Sequence, residues 1–318
     1  MRSVGRNSRR SIFILPSSRE RGFFTPEQLQ VRTIESLKTY LRRRIGGYTV
    51  AIKYITTENL LYRGRVCRGR PSTIDEVSYP PPERVTSLGR ANRVGQPMFY
   101  CCRGAFPVFF EIHVREGDMI AVSEWAVSEP LWMHNLGFHP ETLEQLGGPI
   151  RPSFSSPIPR ETNRNERLRR AMSMAFTARV LQGDEHLYKE TIAINELLFD
   201  RASPIPARDH GGPSDRRAAG TVYPTVQMRG LADNIAVEPE FVDRYLRIRS
   251  VRYVQVEGVD HVQLAYNFLT VAHADTFVGR MIIWKDDLPP EKERRTRVAF
   301  EGGLWLSRDG YGRVYDAH

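Results

Sequence analysis

The apolar residues of this sequence come in short runs of strand length, at residues 48–55, 59–66 and 97–102, with a proline-rich loop at 80–82 between the last two. A strand needs only about five or six residues, and Pro or Gly at its borders keeps such a run from growing into a helix. Further strand-like runs follow at 222–228, 252–256 and 281–284. Helical spacing is confined to two stretches. Residues 25–44 open on Thr25-Pro26, a capping threonine with proline in the first turn, and carry Leu29, Ile34, Leu37 and Leu41 before Gly46-Gly47 ends them. Residues 165–199 repeat Leu168, Met172, Phe176 and Val180, then resume after Gly183 with Tyr188, Ile192 and Leu197, which predicts two helices. Strand and helix do not alternate, and the chain has no internal repeat and no Gly-rich phosphate loop. The expected class is therefore α+β, and the pattern argues against a doubly wound dinucleotide fold.

With 318 residues, 41% of them hydrophobic, the chain is long enough for one large domain with decorations or two ordinary ones. No stretch approaches the roughly 20 apolar residues of a membrane helix, and the apolar patch at residues 12–15 is too short for a signal peptide. The three cysteines, Cys67, Cys101 and Cys102, are too few and too close for a disulfide framework. These features predict a soluble protein of the reducing cytoplasm. Of the net charge of +9, residues 1–50 supply +8, from eleven Lys and Arg against three Glu. That places a basic arm with a helix at residues 1–48 on a nearly neutral body. Such an arm suits nucleic acid, an acidic partner, or solubility alone. Residues 1–24, rich in Arg, Ser and Gly, are expected to form a mobile tail.

Residues 108–114 read as a further strand. Val108, Phe110, Ile112 and Val114 share one parity, so Glu111 and His113 are expected to emerge together on the other face. A carboxylate in such apolar company needs a reason to be there. An ion-paired strand carboxylate is one reason and a catalytic role is the other.

Three blocks stand out in order along the chain. The first is LYRGRV at residues 61–66, which carries Arg63. The second is LGRANRVGQPMFYCC at 88–102, followed by FFEI at 109–112 and GDMI at 117–120, and it carries Arg90, Tyr100 and Glu111. The third, TVYPTVQMRGLADNIAVEP at 221–239, carries Thr225 and Asn234. Together they resemble the RES domain, a family of bacterial NAD-consuming toxins named for its Arg, Glu and Ser. The likeness spans residues 49–285 and leaves 286–318 as a C-terminal extension. The chain departs from the family pattern at three places: Thr225 stands for the serine, Pro107-Val108 for a Thr-Ala pair, and Gly64 follows the first arginine where some relatives have tyrosine.

The resemblance implies an ADP-ribosyltransferase-like fold, with two small β-sheets around an NAD cleft and helices on its flanks. NAD is then the substrate, and the bond between nicotinamide and ribose is the one cleaved. That cleavage builds positive charge on the ribose, as in other glycosyl transfers, and a fixed carboxylate such as Glu111 stabilises it. Arg63 and Arg90 suit the pyrophosphate, because a guanidinium is a planar, permanently charged fork; Arg65, Arg68 and Arg93 are alternative candidates. Tyr100 stacks on nicotinamide, bonds the ribose, or is a strand aromatic. Thr225 is expected to orient Glu111 or touch the ribose, while Asn234, counted with the NAD-binding residues, is expected chiefly to fix a loop through backbone bonds. No metal is expected, since His113, His134, His139 and the cysteines lack ligand spacing. The acceptor of ADP-ribose is phosphate or water, or in a second reading a macromolecule; a third reading is a degenerate nucleotide-binding module. Family precedent adds a helix-turn-helix antitoxin as partner, and no membrane association is expected.

Overall fold

A computed structural model of the chain describes residues 22–48, 50–147, 163–199, 217–285, 287–301 and 304–316. Of the tail expected at 1–24, residues 1–21 lie outside the described residues. Phe24, by contrast, is buried in a core cluster.

The capping threonine behaves as its sequence predicts. Thr25 accepts the Gln28 N–H and the Gln28 side chain returns to the Thr25 N–H, closing a capping box on α1 (Pro26–Val31). The single helix expected as far as Arg44 is in fact two. Arg32 is extended, and Thr33 accepts the Ser36 N–H to start α2 (Ile34–Arg44). Leu29, Leu37, Leu41 and Ile45 bury themselves against α5 (Asn163–Thr177) and α6 (Lys189–Phe199). Two polar residues at the start of α6 fasten this packing. Lys189 donates to the carbonyls of Leu29, Gln30 and Arg32 at 3.0, 3.1 and 3.0 Å, closing the end of α1 where carbonyls lack helical partners. The buried Glu190 accepts the Phe23 N–H at 2.5 Å.

Among the described residues the strands form one sheet of twelve and a separate two-stranded hairpin, β10 (Thr276–Val278) with β11 (Met281–Ile283). One end of the large sheet holds β1 (Ile52–Ile55), β5 (Leu131–Asn135), β6 (Gly220–Pro224), β7 (Asp233–Val237) and β3 (Phe99–Cys102), in that order. The other end continues through β2 (Leu60–Val66), β4 (Met119–Val127), β8 (Leu246–Asp260) and β9 (Ala265–Ala274). It finishes with β12 (Arg295–Glu301), β13 (Leu304–Asp309) and β14 (Val314–Asp316), so residues read as a C-terminal extension carry the same sheet onward. All pairings are antiparallel except β5 with β6. Two short helices, α4 (Pro140–Gln145) and α7 (Pro239–Tyr245), flank the smaller half and bury Leu143, Phe241 and Val242 against it.

The resemblance implies two small sheets, whereas the strands join into one. The division survives as a weak seam. β2 pairs with β4 along its whole length and β3 pairs with β7 along its whole length, yet β2 and β3 meet at the single register pair Tyr62 and Cys102.

The strand expected at 108–114 is also corrected. Residues Pro107–Glu111 form the short helix α3, closed by a turn in which His113 has φ of 54°. Proline at its first turn presets φ and needs no N–H partner. A strand would send Phe109 and Phe110 to opposite faces. In the helix both enter one core, Phe109 stacked on Tyr266 and Phe268, and Phe110 edge-on to Tyr266. Tertiary packing of three consecutive buried residues, Val108 to Phe110, overrides their β propensity.

Phe24 tests whether residues 22–48 belong to the folded body. Phe24→Ala is expected to lower the unfolding free energy by about 3–5 kcal/mol in urea denaturation, as for other buried aromatic truncations. A loss below about 0.5 kcal/mol, typical of surface changes, would mean that this segment is not integral to the fold.

Candidate functional site

A cavity of about 350 Å³ lies at the seam between β2 and β3. Tyr62, Arg63 and Gly64 reach it from β2, and Tyr100, Cys101 and Cys102 from β3. α3 and its following turn contribute Glu111 and His113, β7 contributes Asn234, and Arg90 comes from the turn before β3. Gly64 makes this geometry possible. A Cβ there would overlap Val108 Cγ1 and lie 3.1 Å from Ile112 Cδ1, so only glycine lets α3 settle onto β2 and bring Glu111 to the seam. This gives a local reason for the glycine that follows Arg63.

Arg63 ties the seam together. Its Nε donates to the Ser78 carbonyl at 3.0 Å and its Nη1 to the Tyr100 carbonyl of β3 at 2.8 Å, with the guanidinium 5.5 Å from the Phe99 ring centre. Burial lowers its pKa to about 10, which leaves it charged at neutral pH. Arg90 is likewise bound to main chain. Its Nη1 donates to the Phe176 carbonyl at 2.7 Å and its Nη2 to the Ala178 carbonyl at 3.0 Å, capping the end of α5. The same guanidinium lies 5.3 Å from the Tyr188 ring centre and 5.7 Å from that of Tyr223. Tyr100 turns its ring to the cavity while its hydroxyl donates to Asn92 Oδ1 at 2.7 Å and accepts the Ala91 N–H at 2.9 Å. That hydroxyl is fully engaged, so the ring face is what Tyr100 offers.

Glu111 places a carboxyl in the cavity wall. Its Oε1 is buried with no hydrogen-bond partner among the described residues. Burial drives its pKa from the ordinary 4.5 up to about 7, against the opposing pull of a hydrogen bond from Asn234, the charge of Arg90 and the Gln227 N–H. A carboxyl poised near neutrality in a cavity, with a cation nearby, has the character of a functional group.

Asn234 lines the cavity and Thr225 does not. Asn234 sits on a strand, in register with Cys102 of β3 and Tyr223 of β6, and its side chain lines the cavity. Thr225 is fully buried and off the cavity wall. Its N–H donates to the Ala232 carbonyl at 2.9 Å and its carbonyl accepts the Gly230 N–H at 2.7 Å, at the start of the turn between β6 and β7. Its hydroxyl has no hydrogen-bond partner among the described residues. The cavity thus brings together Arg63, Arg90, Tyr100, Glu111 and Asn234, and leaves out Thr225.

Several wall residues, Tyr223, Arg179, Tyr188 and Gln227 among them, carried no site signal of their own in the sequence. Tyr223 sits in the third block, where only the segment TVYP around it pointed to the site. Arg179 and Tyr188 fall in the helical stretch of residues 165–199, where spacing reports packing alone, and Gln227 follows a strand in a turn. Arg179 is exposed at the cavity, adds to burial and His261 in lowering the pKa of His113, and forms no hydrogen bond or ion pair among the described residues. Comparison of the chain with protein-family models, with curated proteins and with solved structures returned no match. No helix among the described residues is long and apolar enough to cross a membrane.

The raised pKa of Glu111 makes a prediction about stability. Below pH 4.5 the carboxyl is protonated in folded and unfolded chains alike. Between 4.5 and 7 the unfolded chain ionises first, so stability falls, and above 7 the full burden is present. Glu111→Gln is therefore expected to raise the melting temperature relative to wild type at pH 8, with the gain vanishing toward pH 4.5, in scanning calorimetry. A pH-independent difference would place Glu111 in water.

Proposed function

We propose that this protein binds NAD at the seam and cleaves the bond between nicotinamide and ribose, as an ADP-ribosyltransferase-like enzyme of the RES type. The observation that carries the reading is the convergence on one cavity of Arg63, Arg90, Glu111 and Asn234, drawn from three blocks far apart in sequence. The cavity volume falls at the small end of the 300–1,000 Å³ usual for ligand sites, a size suited to the reacting half of a dinucleotide.

The chemistry follows from the groups present. As the bond between ribose C1′ and the nicotinamide nitrogen breaks, the electron pair leaves with nicotinamide, which departs neutral, and positive charge passes to the ribose. Ionised Glu111 stabilises that charge. The positive nicotinamide ring of bound NAD favours the ionised carboxylate as well. Tyr100, Tyr188 and Tyr223 supply ring faces for the base. Phosphate or water then adds to C1′ and gives up a proton. Arg63 and Arg90 supply charge but spend donors on carbonyls, so Arg179 is the cation assigned to the phosphates. The same family reading brings a helix-turn-helix antitoxin as the neutralising partner.

The test is incubation of the purified protein with NAD, with and without phosphate, and identification of products by mass. Nicotinamide together with ADP-ribose or its 1-phosphate is expected, and Glu111→Gln should reduce the rate by about a hundredfold or more. Binding of NAD without turnover would favour the nucleotide-binding module instead. Because the ionised form acts, turnover is expected to rise with pH through about 7 in the free enzyme's kcat/KM profile.

Arg179 gives a separate check. Arg179→Ala should weaken NAD binding by about tenfold or more in titration calorimetry, as expected for loss of a charge-assisted hydrogen bond, while leaving nicotinamide riboside, which has no phosphate, unaffected. Equal weakening of both ligands would remove Arg179 from phosphate recognition.

A further inference from the structure

Cys102 stands at the one register pair that joins β2 to β3, directly across from Asn234 on β7. Both side chains are buried and both line the cavity. Cross-strand partners have Cβ atoms about 4.5–5.5 Å apart, so the sheet register itself brings the thiol to the amide. Cys102 Sγ lies 3.3 Å from Asn234 Oδ1.

The chemistry of the three groups fixes the direction of the chain. An ionised carboxylate only accepts hydrogen bonds, so Glu111 must be met by the NH₂ end of Asn234. The amide oxygen then faces the opposite way, and a group that donates is needed there. The S–H of Cys102 is that donor, and burial raises its pKa well above the ordinary value, which keeps the proton on sulfur. Without the thiol the amide loses the contact that distinguishes its two ends, and in the flipped orientation its oxygen would oppose the carboxylate.

We infer that Cys102 is a positioning residue: its thiol holds the Asn234 amide with nitrogen toward Glu111, and through it sets the carboxylate for the reaction proposed above. The inference rests on that reading for its catalytic consequence, but its physical content is measurable without NAD.

The experiment follows the carboxyl carbon of Glu111 by NMR in the full-length protein labelled with ¹³C at glutamate side chains, the signal being identified by its loss in Glu111→Gln. Cys102→Val removes the donor, Cys102→Ala removes it without adding a branch, and Cys102→Ser restores a stronger one. The midpoint is expected to move up by about half a unit in the Val and Ala variants, a shift of the size a weak hydrogen bond exerts, and to return to the wild-type value or below it in the Ser variant. The kcat/KM profile for NAD should follow the same order, with the variants converging on wild type at high pH. Unchanged midpoints in Val and Ala would overturn the inference, and so would a Ser variant shifted as far as Val, since packing alone would then be responsible. Shifted midpoints in a protein that leaves NAD intact would support the positioning role and overturn the NAD reading.

Discussion

The architecture turns on the seam between β2 and β3. Strands that pair along their length leave no room between them, and strands that do not pair leave main-chain groups without partners. At this seam the contact is reduced to Tyr62 and Cys102, and a side chain does part of the work of the missing ladder. Arg63 of β2 reaches the Tyr100 carbonyl of β3 with one nitrogen and the Ser78 carbonyl with another. The guanidinium suits this task because its donors lie in a plane at fixed angles. The seam stays open enough for a cavity and closed enough to remain one sheet. A charged residue that reads in sequence as a ligand holder is thus also a structural tie, and removing it would disturb the site by two routes at once.

Arg90 obeys the same logic at the opposite wall. The end of α5 leaves carbonyls without helical partners, and Arg90 supplies donors to them while Tyr188 and Tyr223 cover its faces. Its charge remains within reach of Glu111 and works against the effect of burial on that carboxyl. The wall carrying Tyr188 belongs to the same packed body as α1 and α2, since Lys189 and Glu190 anchor the chain from Phe23 to Arg32. One side of the cavity is therefore built on a helical layer that residues 22–48 help to complete.

What could be read from the sequence divides along physical lines. Local signals were legible: the Thr25 cap, the four-residue spacing of Leu168, Met172 and Phe176, and the short runs that became β1, β2 and β3. The run 108–114 misled because alternation and continuous burial look alike when nearly every residue is apolar, and only Pro107 hinted at a helix. Of the long antiparallel ladder of β8 and β9 only residues 252–256 of β8 were visible, and β9 was missed, since the pairing is decided between residues and not within them. For the cavity, the three blocks located Arg63, Arg90, Tyr100, Glu111 and Asn234. They could not say which donors were spent on carbonyls, and that separates Arg90 from Arg179. Thr225 shows the same limit from the other side, because a hydroxyl one residue from the wall has the same sequence signature as one upon it.

Glu111 is the point at which folding and chemistry oppose each other. A core built for stability alone would place a neutral residue at the end of α3, where Oε1 finds no partner among the described residues and burial disfavours charge. The chain instead surrounds that carboxyl with partial compensation, from Asn234, Arg90 and the Gln227 N–H, enough to hold its pKa near 7 and not enough to return it to 4.5. Fuller compensation would stabilise the folded state but would also satisfy the carboxylate before a ligand arrived. Less would leave it protonated and, in the NAD reaction proposed above, unable to face a developing cation. A carboxyl held midway is under strain that the rest of the fold must carry. The packing of Val108, Phe109 and Phe110 immediately before it supplies that support, because it fixes α3 while the last residue of the helix remains turned into the seam.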